Sequence, residues 1–133
     1  MKKIFSLLVV FVFLLAPFSV SAVDSVKVDH LATRVDKLKE KITLFFKFNK
    51  SDKANYYQYL VEKRLGEMTY VIENDKINSV EETASRYATY IGQLTDYVSK
   101  NRLSNKKDDL TKLYEAHTKQ ISELQKKFKY DSQ

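Results

Sequence analysis

"KANYYQYLVEKRLGEM", residues 53–68, has the spacing of an amphipathic α-helix. Leu60, Val61 and Leu65 fall on one side of a helix with about 3.6 residues per turn. Arg64 lies within the same apolar arc. A guanidinium group cannot lose its proton there, so it must extend to the surface or pair with a carboxylate. The stretch therefore predicts a helix whose buried side carries one charge that needs a partner.

Glu67 is the nearest candidate partner, because it follows Arg64 by one helical turn and lies at the edge of the same arc. We predict a structural Arg64–Glu67 pair at the flank of a helical bundle, where it would fix how this helix faces its neighbours. The alternative is a binding role, in which Arg64 holds an anion in a surface groove.

Helical spacing continues on both sides of this stretch, and the chain contains only two Gly and one Pro. Nothing in the pattern indicates a β-strand. The first and third segments carry coiled-coil-like seams, which are typical of helices that pack at small crossing angles. Four helical segments are predicted, at about residues 25–48, 52–73, 80–100 and 105–129. The predicted buried seam of the first consists of Val28, Leu31, Val35, Leu38, Ile42 and Phe45.

The connections between these segments contain residues that favour helix ends. Asn49 or Ser51 suits the start of the second helix and Asn74 its end, while Ser79 and Glu82 have the spacing of a capping box before the third. Because the connections are short, successive helices should run antiparallel. We therefore predict an all-α, antiparallel up-down-up-down four-helix bundle. The competing architecture is a looser pair of helical hairpins completed by dimerisation.

Residues 1–22 have the three parts of a secretory signal: Lys2 and Lys3, an apolar run, and a small-residue cleavage site ending at Ala22. We predict a signal peptide at 1–22, a single helical domain at 23–133, and a periplasmic or extracellular location. If the signal is not cleaved, residues 4–23 would anchor the chain in the membrane.

Composition narrows the partners and the chemistry. The chain has no Cys, so it forms neither disulfides nor thiolate metal sites. Without Lys2 and Lys3, the remaining 21 basic and 17 acidic residues give a net charge of +4. This charge favours an envelope protein or an anionic polymer as partner, whereas export argues against nucleic acid. No nucleophile–base pair or glycine-rich loop is recognisable, so we predict neither an enzyme nor a bound cofactor. A homodimer is the open alternative for assembly.

His117 lies at the centre of the apolar arc of the last predicted helix. We expect a neutral core histidine whose ring is hydrogen-bonded to a tyrosine or a backbone carbonyl. In the alternative, His117 and Met68 bind haem or a metal inside the bundle, and the protein is a periplasmic carrier of a small ligand.

The first connection, "FFKFNKSDKANYYQY" (residues 45–59), is rich in both aromatic and basic residues. Phe45 and Tyr57 fall on the predicted seams, which cannot bury all of the other aromatic residues. An aromatic cluster surrounded by lysines resembles an interaction surface. The alternative is a tyrosine-rich end of the core with hydrated hydroxyls. The candidate partner-binding residues are Phe46, Phe48, Lys50, Lys53, Tyr56 and Tyr59.

The region from about residue 31 to 100 resembles a family of exported bacterial helical proteins known as a domain of unknown function. The family signature is an aromatic or threonine-containing turn, then Lys-Ala, and then a helix with Glu-x-Arg-Leu-x-Glu. The resemblance implies export and an all-helical fold, and it implies no activity. The matching positions are Phe48, Lys53, Ala54, Leu60, Glu62, Arg64, Leu65 and Glu67.

Overall fold

The structure, a computed structural model, describes residues 26–131. The predicted signal peptide, residues 1–22, lies outside the described residues. The described part of the chain is all-α and contains no strand. Its helices are α1 (Arg34–Phe46), α2 (Lys50–Glu73), α3 (Val80–Lys100) and α4 (Lys107–Asp131), with short 3₁₀ turns at Ile77–Ser79 and Ser104–Lys106.

Successive helices run antiparallel, as residue pairs along α2 and α3 illustrate. The rings of Tyr57 and Tyr97 lie 5.3 Å apart, and further along α2 the guanidinium of Arg64 lies 4.7 Å from the ring of Tyr90. Residue numbers that increase along α2 are thus matched by residue numbers that decrease along α3. The prediction of an all-α four-helix bundle is confirmed.

The apolar core lies between α2, α3 and α4, in two clusters that follow one another along the bundle. Fully burying one such side chain stabilises the fold by about 1.5–3 kcal/mol. The first cluster contains Ala54, Val61, Leu94, Val98 and Leu113. The second contains Leu65, Met68, Val71, Ile72 and Leu124. Neither cluster has a buried apolar residue from α1, so α1 is peripheral to the core.

Asn49 begins α2, since its Oδ1 accepts hydrogen bonds from the amides of Ser51 (2.8 Å) and Asp52 (3.1 Å). Asn74 ends the same helix, as predicted. The predicted capping box at Ser79 is wrong, because the Ser79 side chain makes no capping hydrogen bond. The 3₁₀ turn leading into α3 holds Ser79 at φ −102° and ψ −3°, whereas a side chain that caps a helix normally needs an extended backbone.

The first helix starts at Arg34, about nine residues later than the apolar spacing predicts. A capping box at Thr33 and Asp36 sets this start: the Asp36 amide donates to Thr33 Oγ1 (3.2 Å), and the Thr33 amide donates to Asp36 Oδ2 (2.9 Å). Residues 26–33 are not helical and pass over α2 at Gly66. A Cβ atom at Gly66 would lie 2.0 Å from the carbonyl oxygen of Val26, so only glycine permits this close approach.

The orientation of α1 also differs from the prediction. Val35, Leu38, Ile42 and Phe45 were expected to be buried, but all four are exposed. The side of α1 that faces α2 is polar instead, and Glu40 is its one fully buried residue. The buried charges around Arg64 explain this inversion.

Candidate functional site

Arg64 is almost completely buried, with 1% of its surface exposed. It donates hydrogen bonds to Glu67 Oε1 at 2.5 Å and to Glu40 Oε2, and its guanidinium lies over the ring of Tyr90. The predicted Arg64–Glu67 pair therefore forms, but in the interior rather than at the flank. Pairing with carboxylates and contact with an aromatic face both compensate for the loss of water around a buried guanidinium.

The same carboxylates tie other parts of the chain to α2. Lys63 Nζ donates to Glu40 Oε1 (2.8 Å), and the amide of Ala32 donates to Glu67 Oε1 (3.1 Å). We call Glu40, Lys63, Arg64 and Glu67 the buried charge network. It has two acids and two bases, so its charges balance. It joins α1 and the extended segment at residues 26–33 to α2.

The pKa values of the two basic residues support charged states. Burial alone would lower the pKa of Arg64, but its contact with the Tyr90 hydroxyl and the charges of Glu67 and Glu40 raise it above its ordinary value. Burial likewise opposes the charge on Lys63, and the hydrogen bond to Glu40 raises the pKa of Lys63 above its usual range. Both bases of the network are thus charged although burial opposes their charges.

The network determines which side of α1 faces outward. Glu40 lies roughly 140–180° around the helix from Val35, Leu38 and Ile42. Since Glu40 turns inward to meet Arg64 and Lys63, these apolar residues must turn outward. This is the physical reason that the apolar side of α1 does not join the core.

The outward side of α1, together with Phe48 two residues beyond its end, exposes a set of large apolar side chains. We call it the apolar stripe; each of its six members is 48–84% exposed. Three exposed basic residues, Arg34, Lys39 and Lys41, flank it along the helix. The stripe consists of Val35, Leu38, Ile42, Phe45, Phe46 and Phe48.

The candidate residues of the first connection lie at the C-terminal end of the stripe. Phe46, Phe48 and Lys50 are exposed; Tyr59 is also exposed, and its ring stacks on the half-buried Tyr56 with centroids 5.8 Å apart. Lys53 is half-buried.

Lys47 Nζ lies 5.5 Å from the centroid of the Tyr56 ring, which connects this pair to the end of α1. Lys53 Nζ instead lies 6.0 Å from the centroid of the Tyr97 ring on α3. Tyr56 and Tyr59 are therefore brought together beside Lys47, which follows Phe46 at the end of α1, whereas Lys53 contacts a ring outside this group.

Sequence analysis did not identify Val35, Leu38 and Ile42 as surface residues. Apolar residues at helical spacing normally mark the buried side of a helix, so the pattern alone pointed the wrong way. One signal was available: Arg64 sits among apolar residues and can bind more than one carboxylate. This signal indicates a further carboxylate near Arg64, but it does not identify Glu40 as that carboxylate.

His117 is buried, with 1% of its surface exposed, and its Nδ1 lies 3.0 Å from the hydroxyl of Tyr87. Burial lowers the pKa of His117 to about 4, and burial together with the nearby Tyr114 raises the pKa of Tyr87 to about 12. Both groups are therefore neutral near pH 7. His117 Nε2 has no hydrogen-bond partner among the described residues.

Met68 lines an apolar cavity of about 340 Å³ between α2, α3 and α4. His117 is not part of the cavity lining, so the two residues do not converge on one cavity. Within residues 26–131, no group of three or more His, Asp and Glu side chains is arranged to hold a metal ion. No helix in that range is both long and apolar enough to cross a membrane.

A family described as "Domain of unknown function (DUF5667)" matches residues 34–130. The chain belongs to this family. The match begins at the first residue of α1 and runs into the last turn of α4, so α1 with its outward stripe is part of the DUF5667 domain. Searches of curated proteins and of solved structures return no match.

Proposed function

We propose that this DUF5667 domain is a non-enzymatic binding module of the cell envelope, which holds a partner molecule against the apolar stripe. The observation that carries the proposal is the inversion of α1: its polar side faces the protein and its apolar side faces outward. Monomeric soluble proteins rarely expose large contiguous apolar patches unless the patch binds something. The stripe and the adjoining Tyr56–Tyr59 pair would form the contact surface.

An envelope location is supported by the sequence of residues 1–22, with its basic start, apolar run and small-residue end. The resemblance to exported bacterial proteins with a Glu-x-Arg-Leu-x-Glu helix points the same way. We therefore propose a periplasmic or extracellular domain, either free after cleavage or anchored through residues 4–23. The partner classes to be distinguished for the proposed module include an envelope protein, an anionic polymer, an anionic lipid surface and a second copy of the chain.

Site-specific photo-crosslinking in the native cell tests this function. A photoreactive residue replaces Phe46 on the stripe, and in a matched control it replaces Ile77, which is 55% exposed in the turn before α3. We expect position 46 to crosslink to an envelope component and position 77 not to do so. A Phe48→Ser substitution should reduce capture at position 46, because Phe48 belongs to the same surface. Equal capture at both positions, or no capture at position 46, would overturn the proposal.

A carrier of haem or a metal is the second candidate, and one observation favours it: the buried Nε2 of His117 is without a hydrogen-bond partner among the described residues. Against it, Tyr87 contacts the other ring nitrogen, and Met68 lines a cavity that His117 does not line. An absorbance titration of the purified protein with haem or copper tests the carrier function. A stoichiometric spectral change that is lost in His117→Ala would support it, and an unchanged spectrum would refute it.

A further inference from the structure

We infer that the partner of the apolar stripe is an anionic lipid surface, on which α1 lies parallel to the membrane plane. The inference rests on the proposed binding function and names the chemistry of the partner. It concerns adsorption to a bilayer surface through α1, independently of any anchoring by the N-terminal segment.

The shape of the stripe fits a lipid interface. The five stripe residues within α1 cover an arc of roughly 100°, and α1, with 13 residues, is about 20 Å long. Helices that lie in a bilayer interface bury an apolar face of this kind about 5–10 Å into the boundary between headgroups and acyl chains. The rings of Phe45 and Phe46 pack edge to face, with centroids 5.3 Å apart, and with Phe48 they form a bulky end that hydrocarbon would accommodate.

The charges of α1 are divided in the same way as its apolar residues. Both of its acids, Asp36 and Glu40, lie on the side toward α2, where Glu40 is fully buried in the charge network. The exposed half of α1 therefore carries only positive charges, those of Arg34, Lys39 and Lys41. Long basic side chains at the edges of an apolar face can reach phosphate groups while their methylene stems stay in the interface.

The excess of positive charge extends beyond the helix. Residues 34–53 contain seven Lys or Arg and three Asp or Glu, of which Asp52 is the one exposed acid. Clusters of four to eight basic residues on an amphipathic helix are typical of binding to anionic lipids. The combination of an apolar face with cationic edges is thus the arrangement expected for an anionic bilayer.

The other partners fit the stripe less well. A two-fold pairing of two copies through the stripe would bring Arg34, Lys39 and Lys41 of both copies together, with no exposed carboxylate on either α1 to neutralise them. A water-soluble polyanion would neutralise the lysines but would leave Phe45, Phe46 and Phe48 in water. An anionic lipid surface offers hydrocarbon to the apolar side chains and phosphate groups to the basic side chains at the same time.

Single-tryptophan fluorescence tests the inference, because the protein contains no Trp. The Phe46→Trp variant reports on the stripe. The Ile77→Trp variant is the matched control, at an exposed position outside the stripe in the turn before α3. Each is prepared as the cell processes it and mixed with vesicles of about two parts phosphatidylcholine to one part phosphatidylglycerol, or of phosphatidylcholine alone. We expect a blue shift of the Phe46→Trp emission with the anionic vesicles only, reversed by high salt, and no shift of the Ile77→Trp emission.

The contribution of the basic edges is measured by adding Lys39→Gln and Lys41→Gln to the Phe46→Trp variant. These exposed substitutions leave the core intact. Each lysine near an anionic surface contributes on the order of 1 kcal/mol, so partitioning onto the anionic vesicles should weaken about 30-fold. Unchanged partitioning would contradict the inference.

The outcomes separate this inference from the proposed function. If anionic vesicles cause no blue shift in Phe46→Trp, or an equal shift in Ile77→Trp, the lipid inference is overturned. If position 46 nevertheless crosslinks to a protein in the cell, the binding function stands with a protein partner. A blue shift of Phe46→Trp that grows with protein concentration in the absence of vesicles also overturns the lipid inference, in favour of a second copy.

Discussion

Arg64 pairs with two carboxylates, those of Glu40 and Glu67, in a part of the fold with little access to water. Removing one partner of a buried ion pair leaves the other charge buried and unpaired. This loss destabilises the fold far more than replacing both partners by apolar residues. We predict that Arg64→Met lowers the free energy of unfolding by about 3–5 kcal/mol, measured by urea denaturation.

A variant without any of these charges is the control for that prediction. Replacing Glu40, Lys63, Arg64 and Glu67 together by uncharged residues of similar size leaves no buried ion without a partner. Its loss of stability should be clearly smaller than that of Arg64→Met. If Arg64→Met proves as stable as the wild type, the network is not ionised and buried as described.

His117 should make stability depend on pH. The pKa of His117 in the folded state is about 4, below its ordinary value of 6.5, so between these values the unfolded chain binds a proton that the folded chain excludes. The contribution of neutral His117 to the free energy of unfolding is fully present above pH 6.5. It should fall by about 3 kcal/mol as the pH drops to 4.

The comparison of His117→Gln with wild type isolates this effect from the titration of the carboxylates. The stability difference between the two should be constant above pH 6.5 and should change by the predicted amount between 6.5 and 4. Parallel pH profiles for wild type and His117→Gln would mean that His117 is not held neutral.

The two glycines make a matched test of the extended segment that crosses α2. A methyl group at Gly66 would meet the Val26 carbonyl oxygen at 2.0 Å, whereas at Gly92 on α3 it would meet nothing within 4 Å. We predict that Gly66→Ala displaces residues 26–33, even though alanine favours the helix by about 1 kcal/mol. Hydrogen exchange of the Ala32 amide, which donates to Glu67 in the wild type, should become at least about tenfold faster.

Gly92→Ala should instead stabilise the protein by about 0.5–1 kcal/mol and leave exchange at Ala32 unchanged. Protection of the Ala32 amide in Gly66→Ala equal to that of the wild type would show that the segment does not depend on the glycine.

The sequence predicts α2, α3 and α4 well, because their apolar residues face a core that all three share. It predicts α1 less well in two respects. Val28 and Leu31 continue the seam that includes Val35, which suggested an earlier start, but the local hydrogen bonds of Thr33 and Asp36 begin the helix there. Spacing also cannot tell which side of a helix is buried when a buried ion pair competes with apolar packing.

The aromatic residues of the candidate site were predictable from composition, since three Phe and three Tyr occur within residues 45–59. The aliphatic half of the surface was not. Its exposure depends on contacts between Glu40 and residues 63 and 64, more than twenty positions away in the chain. Long-range pairing of this kind leaves no periodic signal in the sequence.

For the molecule as a whole, stability should come from α2, α3 and α4 and hardly from the apolar residues of α1. We predict that Leu94→Ala, at a buried core position, costs about 2–5 kcal/mol. The double variant Leu38→Gln/Ile42→Gln, on the exposed stripe, should change the free energy of unfolding by less than about 1 kcal/mol.

Thermal and urea unfolding of both variants measure the contrast. A large loss of stability in the stripe variant would show that these side chains are packed in the folded molecule, and it would remove the basis for a binding surface on α1.

Glu40 and Arg64, whose pairing turns the stripe outward, are themselves buried and inaccessible to any partner. Replacing the buried acids and Arg64 with apolar residues would leave every exposed side chain unchanged. Without these charges α1 would be free to rotate by half a turn and pack its apolar stripe against α2. The proposed binding to the stripe would then be lost through substitutions in the interior. A mutational screen confined to surface positions would not find these substitutions.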